Sequence, residues 1–470
     1  MSRVADFSEK TTSSLFDQWR EFELKRALGS ILPAEFNSMQ LDLGWPRKYS
    51  VRMRKQIFAL VTLILVGGAL FYLNTDPAAI ESAPSNSESV ATASAIELVP
   101  RTVTFRDGST ATFRLPKGFD ITVAAEDLGK ARFMAKSPDG RIFIPDMINW
   151  NLSHEGKMYI LDGWNPETRT FAKVSTYLTK LRGPNDVAFY TDVGGQSWIY
   201  YTLTEGLFRY PYKAAETTPS GERELVYSFP NRQSPDADGV VWHVTRTILF
   251  DKDTLYVSVG SGCNLCEQEE SDLRAQILVM NPDGSNVRTY ANGIKNAVGI
   301  TLADGVLYAT ENGVDHLGNE KPDDLMFKIE EGKHYGWPYC YELDGKKYDD
   351  MNRSWKHKSI TCADVPMSFA SFGEHAAPLG VTYFGGSHPL LRDSFLVALH
   401  GSHQAELRDG YKVVRVSRDG KQDTFMDGFM TKQGTRVARP VHILQVDGTS
   451  FYLSDDHGGR VFYIYATDEM

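Results

Sequence analysis

One pattern recurs along most of the chain: a short apolar strand, a turn, and a second strand with an aromatic or branched residue at its centre. The second strands follow one another at intervals of 56, 57, 52, 88 and 56 residues, and the longest interval contains an insertion around residues 336–375. Five intervals separate six units, and a repeat of about fifty residues with several strands is typical of a propeller blade. We therefore predict an all-β fold, a six-bladed β-propeller over residues 99–470. The strand centres are Phe143, Ile199, Tyr256, Tyr308, Leu396 and Tyr452.

Two short strands near the ends of this region indicate how the ring closes. Residues 101–105 read RTVTF, and residues 460–466 read RVFYIYA. We expect these strands to pair, because a propeller leaves no long open edge.

Composition narrows the class of protein. The 39 glycines among 470 residues suit a turn-rich all-β chain. The formal net charge is −10, which argues against a nucleic-acid partner, because phosphate-backbone binding needs basic surface.

An uncharged apolar run precedes the repeats. Residues 57–73 read IFALVTLILVGGALFYL, a length near the minimum that spans a bilayer, and five basic residues lie within residues 47–55. Because basic residues are retained in the cytoplasm, we predict a cytoplasmic tail (1–56), a single transmembrane helix (57–73), a flexible linker (74–98) and a propeller that is periplasmic, extracellular or lumenal. A cleaved signal peptide fits less well, because the run begins late and lacks a small-residue cleavage site. A buried core helix is the other alternative.

Four cysteines follow the apolar run, at positions 263, 266, 340 and 362. An even number in an exported domain favours two disulfides, and the natural pairing joins Cys263 to Cys266 and Cys340 to Cys362. Spacing alone leaves the connectivity open. A zinc site built from all four cysteines is a rival interpretation, and a redox role for the CNLC segment is another.

Several segments resemble one family of quinoproteins. They include WHVTRTILF, LYVSVGSGCNLCE, ILVMNPDGSNVRTYANGIKNAVGI, EGKHYGWPYCY and APLGVTYFGG. Over about residues 112–465 the chain resembles the glucose/sorbosone dehydrogenases, and EGKHYGWPYCY with GSGCNLCE points to the sorbosone branch. The resemblance implies a six-bladed propeller that binds pyrroloquinoline quinone (PQQ) and calcium and oxidises an aldose sugar or an aldehyde by hydride transfer to the quinone. It leaves the electron acceptor open.

The same resemblance assigns roles to individual residues. It places the catalytic base at His243, and it places the family's electrophilic Arg–Asn pair at Lys295 and Asn296. The resemblance also implies a set of calcium ligands, which would use backbone or side-chain oxygen atoms, and two arginines near the end of the chain that would contact the quinone. These candidates are Glu311, Asn312, Gly313 and Asp324 for the metal, and Arg436 and Arg439 for the cofactor.

Each role has a structural alternative. His243 could cap the following strand, Asp324 could belong to a solvated turn, and the two arginines could form a structural ion pair. Three departures from the family pattern also weigh against a glucose site: Lys295 replaces an arginine, Trp242 an acidic residue and Leu181 a glutamine.

Two other functions therefore stay open. One is a binding propeller without catalytic activity. The other is a calcium-dependent lactonase or esterase, whose metal cage would use Asn185, Asn296 and Asp324.

Overall fold

The computed structural model describes residues 96–467, apart from residues 149–152, 230–241, 268–272, 352–353, 357, 359, 403–406 and 408. The predicted tail, the predicted transmembrane helix (57–73) and nearly all of the predicted linker lie outside the described residues. Within the described residues, no helix has the length and apolar character needed to cross a membrane.

The described chain begins with three strands, β1 (Leu98–Thr104), β2 (Thr110–Pro116) and β3 (Phe119–Ala125). β1 and β2 pair with each other as an antiparallel hairpin. β3 belongs to a different sheet, which also contains the end of the chain.

Six four-stranded antiparallel sheets form the blades of a propeller. Blade 1 contains β4 (Ala135–Lys136), β5 (Ile142–Asp146), β6 (Gly156–Asn165) and β7 (Thr170–Leu181). Blade 2 contains β8 (Val187–Thr191), β9 (Ser197–Thr202), β10 (Gly206–Pro211) and β11 (Glu224–Ser228). Blade 3 contains β12 (Arg246–Asp251), β13 (Thr254–Val259), β14 (Gln276–Met280) and β15 (Arg288–Asn292).

The other three blades follow the same order with two variations. Blade 4 contains β16 (Ile300–Ala303), β17 (Val306–Glu311), β18 (Asp323–Ile329) and β21 (Ala370–Glu374), with a hairpin of β19 (Cys340–Leu343) and β20 (Lys346–Asp349) inserted before its last strand. Blade 5 contains β22 (Pro378–Phe384), β23 (Ser394–Leu399), β24 (Lys412–Ser417) and β25 (Gln422–Met426). Blade 6 contains β26 (Pro440–Gln445), β27 (Ser450–Asp455) and β28 (Arg460–Ala466), and β3 completes it.

The predicted six-bladed propeller is confirmed, together with its repeat. Each predicted strand centre lies in the second strand of its blade: Phe143, Ile199, Tyr256, Tyr308, Leu396 and Tyr452. These strands read as apolar runs because neighbouring blades cover both of their faces; every residue of β5, β23 and β27 is buried. The predicted insertion is the segment between β18 and β21, which also contains a short 3₁₀ helix (Cys362–Asp364).

Aromatic side chains of the second strands pack between blades. The rings of Tyr308 in blade 4 and Phe395 in blade 5 lie 4.7 Å apart between centroids. Phe143 of blade 1 meets Phe189 of blade 2 edge-on at 5.1 Å. Each such pair stabilises the fold by about 0.5–1.5 kcal/mol beyond the burial of its surface. Because the pairs join neighbouring blades, the hydrophobic core forms layers between the blades.

The predicted partner of the last strand was wrong. β28 pairs with β3, from Val461↔Ala125 to Ala466↔Phe119, and residues 101–105 lie in or next to β1, which pairs with β2. The physical reason is the turn between β1 and β2, where Gly108 has φ +84° and the Asp107 side chain accepts hydrogen bonds from Ser109. An Asp-Gly turn makes a local hairpin favourable, so the next strand along the chain closes the ring.

Candidate active site

A cavity of about 430 Å³ lies at one end of the ring. Its lining residues come from blades 1, 3, 4, 5 and 6, and most lie just before a blade's first strand or just after its second. In an antiparallel sheet the start of one strand and the end of the next face the same way, so these positions converge on one end of the channel. His243, Lys295, Asn296, Asn312, Gly313, Asp324 and Arg439 all line this cavity.

His243 precedes β12 in a left-handed backbone conformation, with φ +43°. Nη1 of the buried Arg246 donates hydrogen bonds to the carbonyl oxygens of His243 (2.6 Å) and Thr245 (2.8 Å), which fixes this unusual conformation. A Cβ atom on Gly260 would lie 2.6 Å from Cβ of His243 and 2.7 Å from Oδ1 of Asn296. Only glycine at position 260 therefore lets the imidazole and the amide lie side by side.

The imidazole of His243 is turned so that Nδ1 faces the protein. Nδ1 lies 2.7 Å from Oγ and 3.1 Å from the carbonyl oxygen of Ser261. Burial lowers the pKa of His243 well below its ordinary value, the positive charge of Lys295 lowers it further, and the bond to Ser261 opposes both. The ring is therefore neutral near pH 7, as a general base must be.

Lys295 is buried beside this histidine, on the segment before β16. Its Nζ donates a hydrogen bond of 2.6 Å to the carbonyl oxygen of Gly313, and its backbone N–H donates to Oε1 of Glu311 at 2.8 Å. Burial lowers the pKa of Lys295, and the carboxylates of Asp315, Asp324 and Glu311 oppose that shift. The ammonium therefore lies on the acidic side of the cavity.

The oxygen-rich side of the cavity follows β17. Asp324 accepts hydrogen bonds from the backbone N–H groups of Gly313 (2.5 Å) and Ala377 (2.7 Å), and burial raises its pKa to about 6. Oδ1 of Asn312 is buried without a hydrogen-bond partner among the described residues. Acceptors of this kind suit a hard cation.

Glu311, unlike the other three candidate ligands, does not line the main cavity. Its side chain lines a second cavity, of about 30 Å³, between blade 4 and the inserted segment. Burial raises the pKa of Glu311 to about 8, and its Oε2 atom is buried without a hydrogen-bond partner among the described residues. Asn312, Gly313 and Asp324 thus line the main cavity, whereas the side chain of Glu311 lines the smaller, second cavity.

The two candidate arginines differ in position. Arg439 lines the cavity, and its guanidinium donates to the carbonyl oxygens of His400 (3.2 Å) and Gly401. Arg436 lies behind it, where Nε donates to the hydroxyl of Tyr411 at 3.0 Å. Arg439 is therefore the arginine available to a ligand in the cavity.

Three residues at the site, Arg132, His400 and Asp456, were not predicted from the sequence. Nη1 of Arg132 donates to Oδ2 of Asp456 at 2.9 Å, and Nε2 of His400 lies 2.8 Å from Oδ1 of the same carboxylate. Burial raises the pKa of Asp456, but His400 and Arg132 together bring it below its ordinary value. Arg132 and His400 line the cavity. The available signal was positional, because His400 and Asp456 follow the second strands of blades 5 and 6, as Asn312 does in blade 4.

Residues proposed for other roles lie away from the cavity. Asn185 is fully buried; its Oδ1 accepts from Nε of Arg132 at 3.0 Å, and its Nδ2 donates to the carbonyl of Arg246 at 2.9 Å. Leu181 is buried between blades 1 and 2. The metal cage expected for a hydrolase, which needs Asn185 beside Asn296 and Asp324, is therefore not assembled in the cavity.

All four cysteines are in disulfides, Cys263–Cys266 and Cys340–Cys362. These are the pairs that the sequence favoured. Bonded sulfur atoms are not thiolates, so a four-cysteine zinc site is inconsistent with this structure.

Comparison with known proteins agrees with the fold and the motifs. The sequence matches the TrAA12-like family over residues 113–466. A PQQ-dependent pyranose dehydrogenase of Coprinopsis cinerea is 24% identical over 320 residues, which cover 54% of this chain and 42% of that protein. The chain spans less than two thirds of the length of the curated relatives it matches.

Solved structures share the propeller. The PQQ domain of the C. cinerea pyranose dehydrogenase, in its holo form, has a TM-score of 0.60 at 18% identity and covers 77% of this chain and 98% of its own. The calcium structure of a Trichoderma reesei enzyme of carbohydrate-active family AA12 has a TM-score of 0.61 at 17% identity, covering 75% and 96%. At these identities the likeness shows the fold.

The relatives and neighbours include pyranose and glucose dehydrogenases, so the resemblance to the glucose/sorbosone dehydrogenases is confirmed. The sorbosone branch is not singled out among them. Since the family match extends from the β1–β2 hairpin to the last strand of blade 6, this protein belongs to the TrAA12-like family.

Proposed function

We propose that this protein is a PQQ-dependent dehydrogenase that oxidises an aldose sugar or a related aldehyde at the cavity lined by His243. The observation that carries the proposal is the neutral imidazole of His243, held by its Nδ1 atom beside Lys295 in a cavity of about 430 Å³. A pocket of this size accommodates a small organic cofactor. The pyranose dehydrogenase among the relatives is named as PQQ-dependent, which supports the same cofactor here.

The charges in the cavity fit an acidic quinone. Arg132, Lys295 and Arg439 all line it, and each contributes a cation that can face a carboxylate or a quinone oxygen. PQQ, when bound, supplies a two-electron acceptor that takes hydride from the substrate carbon. Arg439 is better placed than Arg132, because main-chain carbonyl groups hold its guanidinium, whereas the carboxylate of Asp456 pairs with Arg132.

The oxygen donors beside β17 fit calcium. Oδ1 of Asn312 is buried and lacks a partner among the described residues, and the Gly313 carbonyl and the Asp324 carboxylate lie on the same side. These groups would hold the ion, whose positive charge would polarise a cofactor oxygen. The ammonium of Lys295 already binds the Gly313 carbonyl, so ion and ammonium would have to share that oxygen.

The chain's own residues supply the acid–base chemistry. With Nδ1 turned to Ser261, Nε2 of His243 is the nitrogen left to take the proton from the substrate hydroxyl. Burial, and after it the positive charge of Lys295, lowers the pKa of His243, so the base stays unprotonated near neutral pH. Loss of that proton leaves charge on the substrate oxygen, and the neighbouring ammonium stabilises it.

Trp242 gives the substrate side of the site its character. The indole lines the cavity with its ring centroid 5.7 Å from that of His243, and its N–H group is buried without a partner among the described residues. An indole offers a sugar an apolar face and one hydrogen-bond donor. We therefore expect a pyranose or a sorbosone-like aldehyde as substrate. Trp242 would contact it differently from the acidic residue that occupies this position in the glucose-oxidising enzymes.

The test uses the full-length protein in detergent with added PQQ and calcium. We expect a difference spectrum of bound quinone and dye-linked oxidation of at least one aldose or ketoaldehyde. His243→Gln should lower kcat by about a thousandfold and leave quinone binding intact, whereas the exposed His154→Gln should behave like the wild type. Absence of quinone binding would refute the proposal. Binding without turnover of any substrate would favour the non-catalytic binding propeller.

We also propose that residues 57–73 anchor the propeller to a membrane with the N-terminus in the cytoplasm. Two disulfides suit an oxidising compartment such as the periplasm, the lumen or the cell exterior. The full chain should sediment with membranes after a carbonate wash, and deletion of residues 57–73 should release it. Release of the full chain by carbonate would contradict the proposal.

A further inference from the structure

A short loop after β13 surrounds the inner side of the catalytic histidine. Ser261 in this loop is fully buried, and its Oγ and carbonyl oxygen both lie within hydrogen-bond distance of Nδ1 of His243, at 2.7 and 3.1 Å. The same Oγ donates to the carbonyl oxygen of Cys263 at 2.6 Å. The three groups form a chain from the imidazole through the hydroxyl to the backbone.

Counting hydrogens along this chain fixes the tautomer of the imidazole. A serine hydroxyl has one hydrogen, and Ser261 gives it to Cys263, so Oγ can only accept from His243. The Ser261 carbonyl oxygen also can only accept. Nδ1 must therefore carry the hydrogen, and Nε2 has the free lone pair.

The acceptor at the end of the chain is held from several sides. A disulfide joins Cys263 to Cys266 across the loop. The carbonyl oxygen of Asn264 accepts from Nε1 of Trp337 at 3.1 Å, and the backbone N–H of Ser261 donates to the Lys295 carbonyl at 2.7 Å. The Cys263 carbonyl therefore has little freedom to turn away from Ser261.

We propose that Ser261 is a positioning residue that selects the Nδ1–H tautomer of His243, and that the Cys263–Cys266 loop fixes the carbonyl group that orients the Ser261 hydroxyl. This inference rests on the proposed function, because the tautomer matters only if His243 acts as a base. A wrong tautomer would present an N–H group to the substrate hydroxyl and could not take its proton. The neutral hydroxyl orients the base without adding negative charge next to it.

The first arm of the test measures the tautomer directly. In full-length protein labelled with ¹⁵N-histidine, at pH 7 and without cofactor, the His243 signals are assigned by their absence in His243→Gln. We expect the Nε2 shift of an unprotonated nitrogen in the wild type and in Ser258→Ala. In Ser261→Ala we expect a shift partly displaced toward the protonated value, because Nδ1 loses the 2.7 Å contact with Oγ and keeps only the longer one, 3.1 Å, with the backbone carbonyl oxygen. Ser258 is the matched control, because it is a buried serine in β13 whose Oγ accepts a hydrogen bond from the backbone N–H of Thr247 at 3.3 Å, and the described structure has no hydrogen bond between it and His243.

The second arm measures turnover with saturating PQQ. Ser261→Ala should lower kcat by about tenfold or more, with the KM for the sugar and the affinity for PQQ close to the wild type, and Ser261→Thr should recover part of the loss because it keeps a hydroxyl. A protonated Nε2 in the wild type, or an unchanged tautomer in Ser261→Ala, would overturn the inference. A fixed tautomer in a protein that oxidises no sugar would refute the proposed function and leave the hydrogen-bond chain standing.

Discussion

Nζ of Lys295 lies 2.6 Å from the carbonyl oxygen of Gly313, and it donates a hydrogen bond to the oxygen proposed as a calcium ligand. Two cations near one carbonyl repel each other, so the lysine should weaken calcium binding. Lys295→Gln removes the charge, and we expect at least about a tenfold lower Kd for calcium, or about 1.4 kcal/mol. Calorimetric titration of calcium into the full-length protein, after a chelator has removed bound metal, measures this Kd. Weaker calcium binding in Lys295→Gln would show that the lysine supports the ion instead.

Gly260→Ala should displace the imidazole of His243, the proposed base. The new methyl group would lie 2.6 Å from Cβ of His243 and 2.7 Å from Oδ1 of Asn296. Because small misplacements of a reacting group can cost about a hundredfold in rate, we expect kcat to fall by about that factor. Gly448→Ala is the control, since its nearest heavy atom lies 3.7 Å away. Equal activity of the two variants would show that His243 does not need this space.

The pH profile should reveal the cations around His243. Burial lowers the pKa of its imidazole, Lys295, Arg246 and Arg274 lower it further, and the bond to Ser261 raises it. The proposed base acts in its neutral form, so the acid limb of kcat/KM should lie below pH 6.5 in the wild type. Lys295→Met removes one cause of the low pKa and should move the limb to higher pH, whatever its effect on kcat. The exposed Lys173→Met should leave the limb in place.

The two disulfides should separate activity from stability. The Cys263–Cys266 loop is short and leads to His243 through Ser261, whereas Cys340–Cys362 closes a longer loop in the insertion. Each disulfide can be removed by changing both of its cysteines to alanine. From loop-closure entropy we expect the free energy of unfolding to fall by about 2 kcal/mol without Cys263–Cys266 and by about 3 kcal/mol without Cys340–Cys362. kcat should fall more in the first variant. Chemical denaturation and turnover assays decide this, and a larger loss of kcat in the second variant would contradict the prediction.

Asp456→Asn should destabilise the propeller. The Asp456 carboxylate is buried between Arg132 and His400, so its removal breaks the ion pair with a buried guanidinium. Breaking a pair of this kind costs about 3–5 kcal/mol. Urea denaturation should show that loss. The exposed Asp419→Asn, at a surface pair with Lys421, should leave the midpoint unchanged.

The sequence revealed the blades because burial leaves a regular trace. Second strands such as β23 are buried along their whole length and read as apolar runs, so their spacing gives the number of blades. Ring closure left no comparable trace. Both β1 and β3 alternate in polarity, and the choice between them depends on the Asp107–Gly108 turn, which makes the earlier strand pair locally.

The site was predictable where motifs are local. His243 and Lys295 lie in recognisable segments, and both line the cavity. The contact between Arg132 and Asp456 spans 324 residues and joins blades 1 and 6, so no local pattern contains it. The role of Ser261 was hidden for a similar reason, since GSGC marks a family segment but only the folded loop shows which hydroxyl meets the imidazole.

Blade 6 combines the third strand of the described chain, β3, with a strand more than 300 residues later, β28. Until residues 460–466 are available, β3 has no partner on that side, and the incomplete ring exposes two strand edges. Open edges of this kind are templates for aggregation. We therefore expect a chain that stops before Arg460 to aggregate instead of forming a stable propeller.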